Sequence, residues 1–394
     1  MNEIYPYQLL LRALTARNVL SFGAQTAPLA LGPLNVFIGP NGSGKSNFIE
    51  TLALLRATPG DMRTIIRRGG GVREWLWKGA RDAVAYLDVV LNNPNTPQAL
   101  RHILKFTEEN QIFHLEDERI ENEKPNPGYD SPFVYYRYQH GRPFLKVRGE
   151  EKELTQETFE ADISVLAQRR DPDAYPEVSY LASVYERIRI YREWAFGRNT
   201  VFREPQKADM RNDRLEEDFS NLGLFLNRLR RNPQAKNTIL TALRDLYAGL
   251  NDFDVSVEGG TVQVFFTEGD FIIPATRLSD GTLRYLCLLA ILCDPEPPAV
   301  ICIEEPELGL HPDILPKVAD LFLVASERTQ LLVTTHSDIL VDALTEHPET
   351  VIVCEKHAGQ TEMRRLDAAR LAHWLKDYRL GQLWVRGELG GVRW

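Results

Sequence analysis

The N-terminal part of the chain alternates between short apolar runs and turn-forming residues. Leu34-Asn-Val-Phe-Ile38 is a short apolar run, which is typical of a buried strand. The segment Ser46–Leu55 repeats apolar residues with helical spacing, so it predicts a helix soon after that strand. Residues 10–40 are predicted as strands that lead to this helix. Further strands are predicted at 83–91, 102–106, 112–120, 133–138 and 143–148. Because Asn- and Pro-rich turns separate several of them, we expect an antiparallel β lobe.

The middle of the chain has a helical pattern over residues 156–250, with irregular stretches at 171–176 and 202–214. Two sets of apolar residues recur with helical spacing: Leu222, Phe225, Leu226 and Leu229, and then Ile239, Leu243 and Leu246. These stripes predict a helical hairpin that packs either into the core or against a second subunit, and we favour packing into the core. Strands at 255–257, 262–266 and 271–273 follow.

The C-terminal part alternates strands with helices. Apolar runs predict strands at 299–304, 330–335 and 350–355, with helices near 312–325 and 338–345 between them. This alternation is typical of a parallel sheet flanked by helices, so the predicted class is α/β. We therefore divide the chain into 1–155, an inserted mainly helical region at 156–252, and 253–394.

Composition narrows the class of protein. With 394 residues and 43% hydrophobic residues, the chain can form one large domain or one domain with an inserted lobe. Its four cysteines lie in apolar segments without a C-x-x-C pair, so we expect reduced core residues in a cytoplasmic protein. Leu286–Cys293, the longest apolar stretch, is far too short to span a bilayer, and we expect no membrane partner.

The charge pattern leaves DNA binding open. A net charge of −9 argues against coating nucleic acid with the whole surface. However, Arg189, Arg192 and Arg198 lie among aromatic residues, and a second basic cluster consists of Arg63, Arg67, Arg68 and Arg73. Such residues can bind a phosphate backbone and stack bases. A solvated face or an interface with another subunit would give the same pattern.

A phosphate-binding loop links the predicted strand and helix near residue 40. The sequence fits G-x-x-x-x-G-K-[ST] at every required position. Glycines allow the loop to point successive N–H groups at phosphate oxygens, Lys45 can reach the β- and γ-phosphates, and the Ser46 hydroxyl can join the Mg²⁺ shell. The predicted ATP-binding residues are Gly39, Pro40, Asn41, Gly42, Ser43, Gly44, Lys45, Ser46 and Asn47.

Two carboxylates end the apolar run Val300–Ile303. Ligands bind at the C-terminal ends of strands in open α/β sheets. Glu304 would therefore hold Mg²⁺, directly or through water, and Glu305 would polarise the attacking water as general base. Glu304 stands where most P-loop proteins have Asp, and it is one methylene longer. The alternative is a surface carboxylate pair after a core strand.

Leu278–Thr282 resembles the signature segment of ABC-type ATPases. In that superfamily the segment lies at a helix N-terminus and contacts the γ-phosphate bound to the other subunit. The resemblance implies that Ser279, Asp280 and Gly281 act in trans in a homodimer or higher oligomer. An acidic Asp280 would repel phosphate, so it must point away or cap the helix. His336, after the run Leu331–Thr335, matches the switch histidine, although an ordinary strand-end histidine would look the same.

Four segments of the sequence resemble RecF-like and OLD-like bacterial ATPases: FIGPNGSGKSNFIETLALL, RLSDGTLRYLCLLAIL, ICIEEPELGLHPDILPKVADL and LLVTTHSDILVDAL. The resemblance implies the α/β fold of P-loop NTPases of the ABC, RecF and SMC-head type. It also identifies Pro306–His311 with the D-loop, which crosses the dimer seam. OLD-type proteins carry a Toprim nuclease domain after the ATPase, and nothing here could form one, so we expect any nuclease to be a separate polypeptide. Gln168 is the candidate for the Q-loop residue, with a plain surface glutamine as the alternative.

The resulting hypothesis is an ATPase that uses ATP and Mg²⁺ and closes a dimer around nucleotide. The resemblance suggests a sensor or motor subunit in bacterial DNA repair or anti-phage defence, acting with a separately encoded nuclease. A nucleotide switch or scaffold that recruits or inhibits an effector protein without DNA contact is the alternative. A transporter ATPase subunit is disfavoured, because Lys45 and Ser279 are far apart and L-S-G-G-Q is absent.

Overall fold

The computed structural model describes residues 9–94, 96–139, 141–154, 159–194, 197, 200 and 203–391. The strands are β1 (Leu11–Arg17), β2 (Leu29–Ala30), β3 (Leu34–Ile38), β4 (Ala85–Leu91), β5 (Leu100–Glu109), β6 (Ile112–Pro125), β7 (Pro132–Gln139), β8 (Arg142–Val147), β9 (Glu150–Glu153), β10 (Arg189–Tyr191), β11 (Gln206–Lys207), β12 (Leu250–Glu258), β13 (Thr261–Glu268), β14 (Phe271–Pro274), β15 (Val300–Glu304), β16 (Gln330–Thr334), β17 (Val351–His357) and β18 (Gln360–Arg365). The helices are α1 (Lys45–Ala57), α2 (Met62–Arg68), α3 (Val72–Trp75), α4 (Val165–Gln168), α5 (Pro176–Glu186), α6 (Leu222–Leu229), α7 (Pro233–Leu246), α8 (Asp280–Leu292), α9 (Leu315–Ser326), α10 (Asp338–Ala343), α11 (Ala368–Leu371) and α12 (Leu380–Val385).

The chain forms two compact units, each assembled from separate segments. Unit 1 comprises the described residues up to Ile188, the segment Ile352–Leu366 and the segment from Leu389 onward. Unit 2 comprises Arg189–Val351 and Asp367–Glu388. The predicted boundaries 1–155, 156–252 and 253–394 stay a prediction about sequence regions.

Unit 1 contains the antiparallel β lobe that the sequence predicts. Eight strands follow the order β2-β1-β4-β5-β6-β7-β8-β9, and neighbouring strands pair antiparallel throughout. The same unit holds β3 beside β17, which pairs antiparallel with β18. All five residues of β3 are buried, Asn35 among them, as expected for a buried strand. Phe37 of β3 packs against Phe48 of α1 with ring centroids 4.9 Å apart, which fixes the helix over the strand.

Unit 2 is built on a parallel arrangement of β10, β15 and β16. The helix α8 is buried along nearly its whole length, which its leucines together with Cys287 and Ile291 explain. A second, antiparallel sheet joins β11, β12, β13 and β14. The two predicted helices are present as α6 and α7, and their apolar stripes are buried except at Leu246, which is partly exposed.

The prediction of a mainly helical region over 156–250 is wrong at β10, whereas β11 lies in the stretch 202–214 that was predicted to be irregular. Residues Arg189–Tyr191 form β10, which pairs in parallel with β15, and residues 206–207 form β11. Tertiary pairing decides β10: Ile190 and Tyr191 are buried beside β15, and a strand of three residues is too short for a sequence pattern to mark it.

Candidate functional site

The phosphate loop in unit 1 joins β3 to α1 and depends on close backbone packing. Gly39 has φ of 145° and Gly44 has φ of 102°, so both lie where a side chain is strained. A Cβ on Gly39 would lie 2.2 Å from the Cys354 carbonyl oxygen, and one on Gly44 would lie 2.1 Å from Thr361 Oγ1. Both glycines are therefore required by space as well as by backbone angle.

Lys45 opens α1 and turns its ammonium group back into the loop. Its Nζ donates to the carbonyl oxygens of Gly39 at 2.8 Å and Pro40 at 3.1 Å, and the residue is only 5% exposed. A buried cation needs strong acceptors, because desolvation is costly. Phosphate oxygens carry full negative charge and are better acceptors than carbonyl groups. The lysine is therefore held where a polyphosphate can take over these bonds.

Three residues outside the motif hold the loop in shape. Thr361 of β18 donates its hydroxyl to the Ser43 carbonyl oxygen at 2.9 Å, and the two hydroxyls of Thr361 and Ser21 lie 2.7 Å apart. The N–H of Thr361 donates to the Ser21 carbonyl oxygen at 2.7 Å. Asn47 Nδ2 donates to Ser21 Oγ at 2.7 Å. No sequence motif marks Thr361 or Ser21, because they act through the backbone of the loop.

The loop residues fit a nucleotide and its metal ion. Ser43 Oγ is buried and finds no hydrogen-bond partner among the residues that the structure describes. A buried polar atom of this kind calls for a ligand or a water. Ser46 is exposed at the start of α1, where its hydroxyl can join a cation's oxygen shell. The donor set of the loop therefore suits a polyphosphate with Mg²⁺.

The acidic strand end lies in unit 2. Glu304 ends β15, its backbone oxygen accepts from Trp194 Nε1 at 2.6 Å, and its carboxylate lies 3.4 Å from Arg192 Nε. Glu305 follows with φ of 47°, a left-handed conformation that is rare outside glycine. The N–H of Glu305 donates to the Thr334 carbonyl oxygen at 2.9 Å, which continues the link to β16 past the strand end. After this turn the Glu304 carboxylate lies near Arg192, and the Glu305 carboxylate lies near His336.

His336 lies next to Glu305, as the sequence comparison implies. Its Nε2 is 3.6 Å from Glu305 Oε1, and both side chains are about one-third exposed. The pair offers a carboxylate that can accept a proton and an imidazole that can donate one, within reach of the same small molecule. The structure therefore brings together the two residues that sequence analysis assigned to water activation and phosphate sensing.

Glu307 holds the backbone of His336 beside Glu305, and sequence analysis missed it as a functional residue. Its Oε1 accepts the N–H of His336 at 2.6 Å. Burial raises the pKa of the Glu307 carboxyl, and the nearby Glu305 carboxylate raises it further, against the lowering effect of hydrogen bonds from His336 and Thr335. Its Oε2 is buried and has no partner among the described residues. The sequence signal that could have identified Glu307 was its position two residues after Glu305, as the second glutamate of Glu305-Pro306-Glu307.

The signature segment begins α8 with a regular cap. Ser279 Oγ accepts the N–H of Thr282 at 3.1 Å, so Ser279 is the N-cap. Asp280 pairs with Arg203, whose Nη2 lies 2.5 Å from Asp280 Oδ1. Gly281 is packed closely, because a Cβ there would lie 3.0 Å from the Gly309 carbonyl oxygen. The expected cap thus falls to Ser279, and the charge of Asp280 is met by Arg203.

Arg284 connects the signature helix to the predicted D-loop. Its guanidinium donates to the carbonyl oxygens of Leu308 and, at 3.1 Å, Trp194, and its Cζ stacks 5.4 Å from the Trp194 ring centroid. Burial lowers the pKa of Arg284 from its usual value, although Asp280 and Glu307 act in the opposite sense. Signature helix, D-loop and acidic strand end therefore share one network within unit 2.

Other predicted residues lie elsewhere. The Gln168 side chain accepts the Glu160 N–H at 2.8 Å and donates to the Ile163 carbonyl oxygen at 2.7 Å, so its amide serves the local backbone, and the Q-loop role stays a prediction. Arg189 is buried in β10 with 8% exposure, and Arg192 faces Glu304. Contact of Arg189 and Arg192 with DNA stays a prediction. Arg198 lies outside the described residues.

The second basic cluster is more accessible. Arg67 and Arg68 are exposed, whereas Arg63 pairs with Asp61 and Arg73 with Glu108. Arg63 and Arg67 also line a groove of about 240 Å³ together with Ile66, Ile112, Phe113 and Asp162. Contact of this cluster with nucleic acid stays a prediction.

The cysteines and the helices agree with the expectations from composition. All four cysteines are free and buried, and burial raises the pKa of Cys293 and Cys354 to about 12. Thiols in this state are unreactive core residues. Across the described part of the chain, no helix combines the length and apolarity that crossing a membrane requires.

Comparisons with solved structures identify the fold. The crystal structure of an Smc head bound to the C-winged helix domain of ScpA is similar over 92% of this chain and 99% of that chain, with 13% identity and a TM-score of 0.55. The Smc head with an extended coiled coil from Pyrococcus furiosus, bound to the C-terminal domain of ScpA, covers 93% and 99%, with 12% identity and a TM-score of 0.56. The chain therefore has the α/β fold of ABC-type P-loop ATPases.

The comparison of the sequence with family models gives the family itself. No curated protein matches the chain. The model described as "AAA domain, putative AbiEii toxin, Type IV TA system" matches residues 34–342, which is more than half of the chain and runs from the strand before the phosphate loop to the helix after His336. On this match, together with the phosphate loop and the Smc-head fold, the chain belongs to the AAA domain family of putative AbiEii toxins, a family of P-loop ATPases.

Proposed function

We propose that this chain binds ATP with Mg²⁺, hydrolyses it, and uses ATP to close a dimer. The observation that carries the proposal is the buried Lys45 ammonium in a glycine-rich loop, held by loop carbonyl oxygens that phosphate oxygens can replace. The family match and the ATPase fold support nucleotide binding in general. The hydrolytic step rests on the assigned roles of individual residues.

Each proposed role follows from the chemistry of the side chain. Lys45 and the loop N–H groups bind the phosphates, and Ser46 with Glu304 would hold Mg²⁺, which supplies charge neutralisation when bound. Glu305 accepts a proton from the attacking water. His336, 3.6 Å from Glu305, donates a hydrogen bond to the γ-phosphate and keeps the carboxylate oriented. The reaction is phosphoryl transfer to water.

Two substitutions test the enzyme assignment. Lys45→Ala removes the phosphate-binding cation and is expected to abolish nucleotide binding. Glu305→Gln removes the proton acceptor and is expected to lower ATP turnover by about 100-fold or more while nucleotide binding persists. Turnover is measured as phosphate release, and binding with a fluorescent ATP analogue.

Glu349→Gln is the matched control, because Glu349 is an exposed glutamate 3.5 Å from His347 in the same type of contact. It should leave turnover unchanged. Unchanged hydrolysis in both Lys45→Ala and Glu305→Gln would reject the enzyme proposal.

We further propose that the chain is a RecF-like or OLD-like ATPase of bacterial DNA repair or anti-phage defence, which acts with a separately encoded nuclease or other effector. The sequence resemblance supports this branch, and the family description supports a role with a partner, because it refers to a toxin–antitoxin system. The exposed Arg67 and Arg68 beside the groove in unit 1 support contact with DNA.

A nucleotide switch that acts on an effector protein without touching DNA is the second candidate. The net charge of −9 and the burial of Arg189 favour it, because they reduce the basic surface available to a phosphate backbone. DNA-stimulated turnover separates the two candidates. We expect stimulation that weakens with salt and is lost in Arg67→Glu/Arg68→Glu but kept in Arg142→Glu, an exposed arginine of β8. ATP turnover that is the same with and without DNA would favour the nucleotide switch.

A further inference from the structure

The N-terminus of α8 combines features that attract an anion with one that repels it. Ser279 supplies a hydroxyl at the cap, and the helix N-terminus carries partial positive charge. Asp280, the first residue of the helix, is half exposed and places a full negative charge at the same end. A phosphoryl group that approached this end would meet that carboxylate at close range.

Arg203 answers this charge and is fixed in place by three acceptors. Its Nη2 lies 2.5 Å from Asp280 Oδ1, its Nη1 donates to the Thr276 carbonyl oxygen at 2.5 Å, and its Nε donates to the Gly197 carbonyl oxygen at 3.0 Å. Only 17% of the Arg203 side chain is exposed. A guanidinium held at three points loses little further freedom when a ligand arrives, so it is already organised for its task.

The surrounding charges leave Arg203 as the direct partner of Asp280. Arg284, one helical turn further along α8, also attracts Asp280, but its guanidinium is committed to Leu308 and Trp194. Glu307 is the nearest other acid linked to Arg284 and is buried. Stability does not explain the arrangement well, because half-exposed ion pairs contribute little to folding.

We infer that Arg203 is a positioning residue that neutralises Asp280, so that the signature end of α8 can accept the γ-phosphate bound by a second copy of the chain. This inference rests on the proposed ATP-driven dimer closure. Without Arg203, the carboxylate would repel the phosphate, and the repulsion of unit charges a few ångströms apart at a protein surface exceeds a tenfold change in an equilibrium constant. The Ser279 hydroxyl and the Gly281 backbone then make the contact.

The test compares charge variants in the full chain carrying Glu305→Gln, which keeps ATP bound. The association constant with ATP and Mg²⁺ is measured by sedimentation velocity, and nucleotide affinity with a fluorescent ATP analogue. Arg203→Gln is expected to weaken association by about tenfold or more and to change nucleotide affinity less than about twofold. Arg203→Gln/Asp280→Asn is expected to restore association to within about threefold of the parent.

Arg211→Gln is the matched control, because Arg211 forms a similar exposed pair with Asp213 at 2.5 Å in the same segment of unit 2. It should associate like the parent. Normal association of Arg203→Gln would overturn the inference. So would a double variant as weak as Arg203→Gln, because Arg203 would then not act through Asp280.

A failure of the proposed dimer closure would give a different experimental result. If the Glu305→Gln parent binds ATP but does not associate, dimer closure itself is rejected and the role of Arg203 falls with it. Circular dichroism of each variant checks that a loss of association does not come from unfolding.

Discussion

At the scale of single residues, the motif residues were predictable and their supports were not. The glycines of the loop could be found because tight turns restrict the residue type, and Gly39 and Gly44 indeed leave no space for a Cβ. Thr361 holds the same loop through its hydroxyl and N–H, but it lies more than 300 positions along the chain from Ser43. A contact that depends on tertiary pairing carries no local sequence signal.

Thr361→Val tests this support. The substitution keeps the shape of the side chain and removes its hydroxyl, so Ser21 and the Ser43 carbonyl oxygen lose a buried partner. We expect ATP binding to weaken by about 1–3 kcal/mol, measured by calorimetry. Thr261→Val, which breaks an exposed hydroxyl contact with Glu258 in a turn, should leave ATP binding unchanged. Equal affinities for Thr361→Val and the parent chain would show that the loop keeps its shape without this residue.

At the scale of elements, continuous apolar runs made the central strands predictable. β3, β15 and β16 are buried strands of five residues each. Because a buried strand carries few charged residues, its run of apolar residues is easy to recognise in the sequence. β10 was missed because three residues with an arginine at the first position carry too little pattern. The end of β15 was predicted as a catalytic edge, but the left-handed turn at Glu305 and the Glu307–His336 contact follow from packing against β16.

The Glu307 contact gives a prediction about the loop after β15. Glu307→Gln keeps an oxygen acceptor for the His336 N–H, whereas Glu307→Leu leaves that group unpaired. We expect Glu307→Gln to retain most ATP turnover and Glu307→Leu to lose about tenfold or more, with nucleotide binding intact in both. Equal turnover of the two variants would contradict a positioning role.

The raised pKa of Glu307 adds a dependence on pH. A carboxyl with a raised pKa in the folded state favours folding fully below its unfolded pKa, and this contribution is lost as pH rises through the folded pKa. Glu307→Gln removes the cost of ionisation, so its free energy of unfolding relative to the parent should increase as the pH rises above about 4.5. Urea unfolding at several pH values measures this difference. A difference that is constant with pH would contradict the burial of an ionisable group here.

At the scale of the whole molecule, the fold class was predictable and the grouping of segments was not. Alternating strand and helix patterns gave the α/β class, and the Smc-head likeness confirms it. Each compact unit, however, recruits a C-terminal segment: Ile352–Leu366 belongs to unit 1 and Asp367–Glu388 to unit 2. Long-range pairing such as β3 beside β17 decides this grouping, and sequence patterns describe only local structure.

ATP-dependent association of the Glu305→Gln chain is the decisive measurement of whether ATP closes a dimer. Sedimentation velocity is run without nucleotide, with ADP and with ATP, each with Mg²⁺. We predict a dimer or larger assembly with ATP, and none with ADP or in Lys45→Ala/Glu305→Gln. The same sedimentation under all conditions, in a chain that binds ATP, would contradict the claim that ATP closes a dimer.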